Sequence, residues 1–135
     1  MAELFNLNFQ TIGKALDSTV LRNKVIAQNI ANAETPGYKK REVAFEDVFN
    51  QVLEDDIIRL RRTDARHISN IPDSLSQVQP KVVQINSTSV TNDQNNVDID
   101  EEMALLAMNT ERYQVLARLM DQNIARYNII LRGVK

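Results

Sequence analysis

Few side chains in this chain could do chemistry. The densest cluster is acidic: Asp98, Asp100, Glu101 and Glu102. Carboxylates so spaced could hold a divalent cation. Yet Asp98 also suits a helix N-cap, and Glu101, three residues on, completes an Asp/Glu variant of the capping box. Helix-start chemistry therefore accounts for the cluster. His67 is the single histidine and has no second ligand at metal-binding spacing, so it reads as a surface or capping residue. The absence of cysteine excludes a disulfide scaffold, a thiolate metal site and a cysteine nucleophile.

Two basic runs, Lys39-Lys40-Arg41 and Arg59-Leu-Arg-Arg62, are offset by Glu46, Asp47, Glu54, Asp55 and Asp56. No aromatic residues interleave with them, and the net charge is −2. They read as solvated surface or local ion pairs rather than a nucleic-acid face. Asn86-Ser-Thr88 matches a glycosylation acceptor, which matters only in a eukaryotic secretory setting. There is no glycine-rich phosphate loop and no Ser–His–Asp set. The residues predict no catalytic site, no cofactor, no metal, no small-molecule substrate and no nucleic-acid partner. They describe a structural or interaction protein.

What must position these residues is mainly helix. The 135 residues are 43% hydrophobic and 25% charged, with only 3 Gly and 3 Pro, too little punctuation for a sandwich or barrel. The longest apolar run, Met103–Met108, is far short of the roughly 18 residues of a membrane span, and no signal-peptide pattern opens the chain. Near the N-terminus, Phe5, Phe9, Ile12, Leu16, Thr19, Asn23, Ile26, Ile30 and Ala33 follow alternating spacings of four and three. Only Thr19 and Asn23 break the apolar stripe, which has the period of a coiled-coil seam. Asn23 is open to two readings: a register-fixing polar residue, or one imperfect position of an ordinary amphipathic helix. Ile99, Met103, Leu106, Thr110, Tyr113, Ala117, Met120, Ile124, Tyr127 and Leu131 repeat the spacing near the C-terminus, interrupted only at Thr110. The acidic first turn and the basic Arg126, Arg132 and Lys135 suit the helix dipole, and Gly133 is a helix stop.

Off the seams lie Val20, Leu21 and Val25, and then Leu105, Val115, Leu116, Leu119, Ile129 and Ile130. A two-helix hairpin would leave them in water. Either neighbouring subunits cover them, which the pattern favours, or the middle of the chain folds back over them.

The texture changes between the helices. Thr35-Pro36-Gly37-Tyr38 is a type II turn signal, with Pro fixing φ at the second position and Gly supplying positive φ at the third. Glu42–Phe45 reads as extended, Glu46–Leu60 as a brief amphipathic helix, and Lys81–Ile85 as strand-like within a long polar stretch. The expected fold is mainly α. Long N- and C-terminal helices pair as an antiparallel coiled coil, with an irregular, partly extended or β middle region. The expected division is 1–34 and 98–135 as one inner helical domain, with 35–97 as the middle.

The stretch Asn29-Ile-Ala-Asn-Ala-Glu-Thr-Pro-Gly-Tyr38, directly after a heptad helix, resembles the N-terminal signature of the bacterial flagellar axial proteins, the rod and hook family. Its specified positions include Asn29, Asn32, Thr35, Pro36, Gly37 and Tyr38. Asn95-Asn-Val-Asp-Ile-Asp-Glu-Glu-Met103 and Asn109-Thr-Glu-Arg-Tyr-Gln114 resemble the family's C-terminal signature, carried by Asn96, Val97, Asp98, Glu102, Asn109, Tyr113 and Gln114. Thr63-Asp-Ala-Arg-His-Ile68 is similar to a middle motif of the shorter members. Gln94 stands where the family often carries glycine. The short length and the wording of these motifs point to one of the two short proximal-rod subunits.

The resemblance implies a structural subunit of the basal body, polymerising in the proximal rod that joins the MS-ring to the distal rod. It implies torque transmission around a central export channel, and a periplasmic location reached without a cleaved signal. Implied partners are copies of itself, other rod proteins, the MS-ring/rod adaptor protein and the flagellar type III export gate. It also implies an export motif of the form Phe-x-x-x-apolar, for which Phe5/Phe9 and Phe45/Phe49 are the candidate pairs. Apart from the resemblance, a helical adaptor or chaperone would fit the stripes, and a small enzyme built on the helical pair would show itself by dependence on His67.

Overall fold

The computed structural model describes residues 2–50, 77–86 and 94–133. The side chain of Phe5, the 51–60 part of the expected short helix, the 63–68 motif with His67, and residues 87–88 of the acceptor sequence lie outside the described residues.

Helix α1 spans Ala2–Ala31 and helix α2 spans Ile99–Gly133. At about 1.5 Å per residue they are roughly 45 and 53 Å long. They pack antiparallel: Gly13 lies beside Met120, Thr19 and Asn23 meet Asn109, and Asn29 meets Glu102. Their ends follow the sequence chemistry. Below Ala31 the chain tightens through i→i−3 bonds, Asn32 N–H to Asn29 O (3.1 Å) and Ala33 N–H to Ile30 O (3.2 Å). The Thr35–Tyr38 turn then closes with Tyr38 N–H to Thr35 O at 3.2 Å and φ +71° at Gly37, a type II turn. Asp98 caps α2, its Oδ1 accepting from the N–H groups of Asp100 (2.9 Å) and Glu101 (3.3 Å). The expected reciprocal half of the capping box differs, because the Glu101 carboxylate is turned to Lys40, 3.2 Å away.

The contact stripe departs from the apolar stripe on α2. On α1, Ile12, Leu16 and Ile30 are half-buried and Ile26 is buried, but Phe9 is exposed. On α2 the inward positions are Glu102, Leu105, Leu106, Asn109, Leu116, Ala117, Met120 and Asn123. Met103, Tyr113, Ile124, Tyr127 and Leu131, assigned to the seam by their spacing, are exposed; Met103 is 53% exposed and Leu131 61%. Two causes account for the correction. Polar Glu102 and Asn109 occupy inward heptad positions that a count of apolar residues skips. A 3.6-residue helix also rotates about 20° per heptad away from a strict 3.5-residue stripe.

Strands β1 (Arg41–Ala44) and β2 (Lys81–Gln84) form an antiparallel ribbon, with Arg41 opposite Gln84 and Ala44 opposite Lys81. Residues 46–50 are helical. Val43 and Phe45 face α1 and bury Val25 together with Val78, while Leu21 and Phe49 pack at the edge. So the middle of the chain covers Val25 and Leu21 of the off-seam residues of α1, while Val20 stays exposed. Of the off-seam residues of α2, Leu105 and Leu116 turn inward, whereas Val115, Leu119 and Ile130 are exposed, and Ile129 is 70% exposed.

Two backbone positions generate a prediction. Gly37 and Gln94 both sit in the left-handed region, at φ +71° and +68°. A Cβ at Gly37 would meet nothing within 4 Å, so the cost of Gly37→Val is conformational, about 1 kcal/mol or more. Gln94→Gly relieves about 1–2 kcal/mol of left-handed strain and gives back about 0.5–1 in chain entropy. The net gain is about 0.5 kcal/mol. Circular dichroism at 222 nm on the isolated chain should show less helix for Gly37→Val and more for Gln94→Gly.

Candidate functional site: a buried polar clasp

The signature residues converge where the end of α1, the approach to β1 and the start of α2 meet. Asn29, on the last turn of α1, uses both ends of its amide. Its Nδ2 donates to Arg41 O (2.8 Å) and to Glu102 Oε2 (3.0 Å), and its Oδ1 accepts from Arg41 N–H (3.0 Å) and Tyr38 O–H (3.3 Å). The side chain thus serves Arg41 as a neighbouring strand would, pairing both its N–H and its C=O.

Asn96 makes a second such bridge. Its Oδ1 accepts from Lys40 N–H at 2.6 Å and its Nδ2 donates to Ile85 O at 2.8 Å, beside the direct bond from Ile85 N–H to Lys40 O (2.8 Å). Asn95 closes the end of α1. Its Nδ2 lies 3.0, 2.8 and 2.9 Å from the carbonyls of Asn32, Ala33 and Thr35, just past the helix end, and its Oδ1 accepts from Val97 N–H (2.8 Å). At these positions Asp would lose the donor and Gln would be one methylene too long.

Glu102 is the bulkiest fully buried side chain among the described residues. Asn29 donates to one oxygen. The other, Oε1, accepts no aligned hydrogen bond but lies 3.0 Å from Nζ of Lys40. Lys40 is itself buried and also contacts Glu101 (3.2 Å) and Glu42 (3.6 Å). Burial alone would lower the Lys40 pKa; the close contacts and charge attraction of Glu102 and Glu101 outweigh it and hold the ammonium above its ordinary 10.5. Two turns along, Asn109 is buried against α1, donating to Thr19 O and Asn23 Oδ1, both at 2.8 Å.

The remaining signature residues are local or exposed. Asn32 Nδ2 returns to Gln28 O (2.8 Å), Thr35, Pro36 and Gly37 form the exposed turn, Val97 is buried, and Tyr113 and Gln114 face outward on α2. Of the aromatic pairs, Phe45 is buried in the small core and stacks on Phe49 with centroids 4.7 Å apart, whereas Phe9 is exposed. Beside them Arg22 clamps both oxygens of Glu46, at 2.6 and 2.7 Å, and so ties the 46–50 turn to α1. The sequence reading placed Lys40 in a run of solvated surface or local ion pairs; ion pairs form, but its burial and its pairing with Glu102 were missed. The available signal was Glu102, Asn109 and Leu116 at heptad spacing, which turns a carboxylate inward and demands a counter-ion.

The arrangement fastens three segments together. Its pH response follows from Lys40. Because the folded-state pKa lies above the unfolded one, the contribution is fully present below about pH 10.4 and is lost as pH rises through the folded value. Helicity should therefore hold from pH 7 to about 10 and fall above that. Lys40→Met should lower it already at neutral pH, because Glu102 then stays buried without its cation, at a cost of about 3–5 kcal/mol.

Comparison with known proteins adds an independent finding. The family model described as "Flagella basal body rod protein" matches residues 9–39, which cover most of α1 and the turn. The flagellar basal body rod protein FlgB of Bacillus subtilis is 35% identical over 132 residues, covering 98% of both chains. FlgB of Borreliella burgdorferi is 30% identical, covering 87% of this chain and 90% of its own. FlgB of Escherichia coli is 30% identical, covering 94% of each. With identity at this level along the whole chain, from α1 through the clasp to α2, the chain belongs to the FlgB family of structural flagellar basal body rod proteins.

Proposed function

We propose that this chain polymerises in the proximal rod of the flagellar basal body, between the MS-ring and the distal rod, and helps transmit torque around a central export channel. The observation that carries the reading is the likeness to FlgB proteins along nearly the full chain rather than over the first helix alone. The geometry supports it in two ways. The clasp joins both helices and the start of the middle region through buried, directional bonds, which resist shear as a torque-bearing subunit must. The exposed apolar residues of α2, Val115, Leu119, Ile129, Ile130 and Leu131, give neighbouring subunits a surface to cover. In this reading 1–34 and 98–135 form the inner helical domain, and 35–97 lies farther out.

The partners are other copies, other rod proteins, the MS-ring/rod adaptor protein and the type III export gate, with delivery to the periplasm without a cleaved signal. No helix among the described residues is long and apolar enough to cross a membrane. Phe5/Phe9 and Phe45/Phe49 are the candidate gate motifs. The burial of Phe45 is no obstacle if the gate reads the chain before it folds, and a Phe45/Phe49 variant would also weaken the core.

Export and assembly separate experimentally. Leu106 is half-buried in the seam, where an unpartnered charge costs several kcal/mol, on the order of 2–5. Leu106→Asp should reach the periplasm but build no rod, giving non-motile cells. Replacing both residues of the operative Phe pair by alanine should instead lower the amount of subunit in the periplasm of a strain with an intact export apparatus. Normal periplasmic levels for both pairs would remove the export role. Rods built by Leu106→Asp would remove the assembly role of the helix pair.

A further inference from the structure

The helices carry more apolar surface than one seam uses. Val20 on α1 and Val115, Leu119, Ile129 and Ile130 on α2 remain exposed, so helices of this pattern have several ways to pair. They could slip by a heptad, or pair in parallel with a helix of another copy. Midway along the seam lies a feature that separates these arrangements. Asn109 is buried and donates to both Thr19 O and Asn23 Oδ1, while its own Oδ1 has no hydrogen-bond partner. An apolar side chain at 109 would fill this position without stranding an acceptor, so the amide is not the choice that stability alone favours. A slip of one heptad would set Asn109 against Ile12 and Leu16, or against Ile26 and Ile30. A backbone carbonyl would still face its Nδ2 there, as Thr19 O does now, but the bond to the Asn23 side chain would be lost and a buried amide left half-satisfied.

We propose that Asn23 and Asn109 form a register lock that admits the native antiparallel pairing and rejects slipped and parallel pairings, within a chain or between copies. The pair works by making every other register lose the Asn23–Asn109 bond and bury a half-satisfied amide. It acts two helical turns from Glu102 and does not depend on rod membership.

The test uses the full chain, which has no cysteine, so two labels can be placed at will. Spin labels at Lys24→Cys and Ala107→Cys, both exposed and level with each other across the helix pair, report register by pulsed EPR, and light scattering reports mass. In the otherwise unsubstituted chain the folded fraction should give one narrow distance and a monomeric mass. Asn23→Leu/Asn109→Leu should raise the helical signal while splitting the distance distribution into several populations and adding dimers or larger species. A double-leucine chain that keeps one narrow distance and stays monomeric would overturn the proposal, since the clasp alone would then set register. Less helix than in the unsubstituted chain would also overturn it, since the pair would then be serving stability.

Discussion

One carboxylate, that of Glu102, is taken completely out of water, and much of the structure follows from the groups that it requires. A buried carboxylate must find donors and a counter-charge or be driven to protonate. Here the donor comes from Asn29 on α1 and the charge from Lys40 at the approach to β1. Meeting that requirement brings three segments, far apart in sequence, to one point. It also brings the start of α2 beside the last turn of α1, where Asn29 meets Glu102.

The asparagines around this ion pair act as substitutes for peptide groups. Asn29 and Asn96 each present a donor and an acceptor to backbone that has left one helix and entered a two-stranded ribbon without enough neighbours. Asn95 does the same for the carbonyls at the end of α1. A four-residue ribbon is marginal by itself. It persists because side-chain amides complete its bonding and because Val43 and Phe45 pack on Val25. The described part of the middle of the chain is thereby tied to the helices at its root.

Much of this was legible in the sequence because the causes are local. The turn at Thr35–Tyr38, the cap at Asp98 and the extents of both helices depend on residues within a few positions of one another. On α1 the stripe from Ile12 to Ile30 turns inward as its spacing predicts, while Phe9 is exposed. The seam of α2 was not legible, since its inward face includes Glu102 and Asn109, and an apolar count cannot tell an inward polar residue from an outward one. Lys40 was hidden between Lys39 and Arg41, residues of the same charge that stay nearer solvent. The resemblance named Asn29, Asn96, Glu102 and Asn109 as a signature, but their common purpose appears only when the fold sets them within bonding distance. The covering of Val25 and Leu21 by the middle of the chain was the less favoured expectation, because it rests on Val43, Phe45 and Val78 meeting α1 from well outside the helix.

The central claim is that Glu102 and Lys40 act as one unit holding the three segments together. A double-mutant cycle of Lys40→Met, Glu102→Met and the pair, read by urea unfolding of the full chain, tests it most directly. Lys40→Met strands the Glu102 carboxylate and Glu102→Met leaves the buried Lys40 only the exposed Glu101 and Glu42, whereas the pair leaves neither charge in place. The account predicts that the double variant recovers most of the loss, with a coupling energy of about 2 kcal/mol or more. Losses that simply add would contradict it, for they would mean that the two side chains contribute separately and that no shared clasp exists.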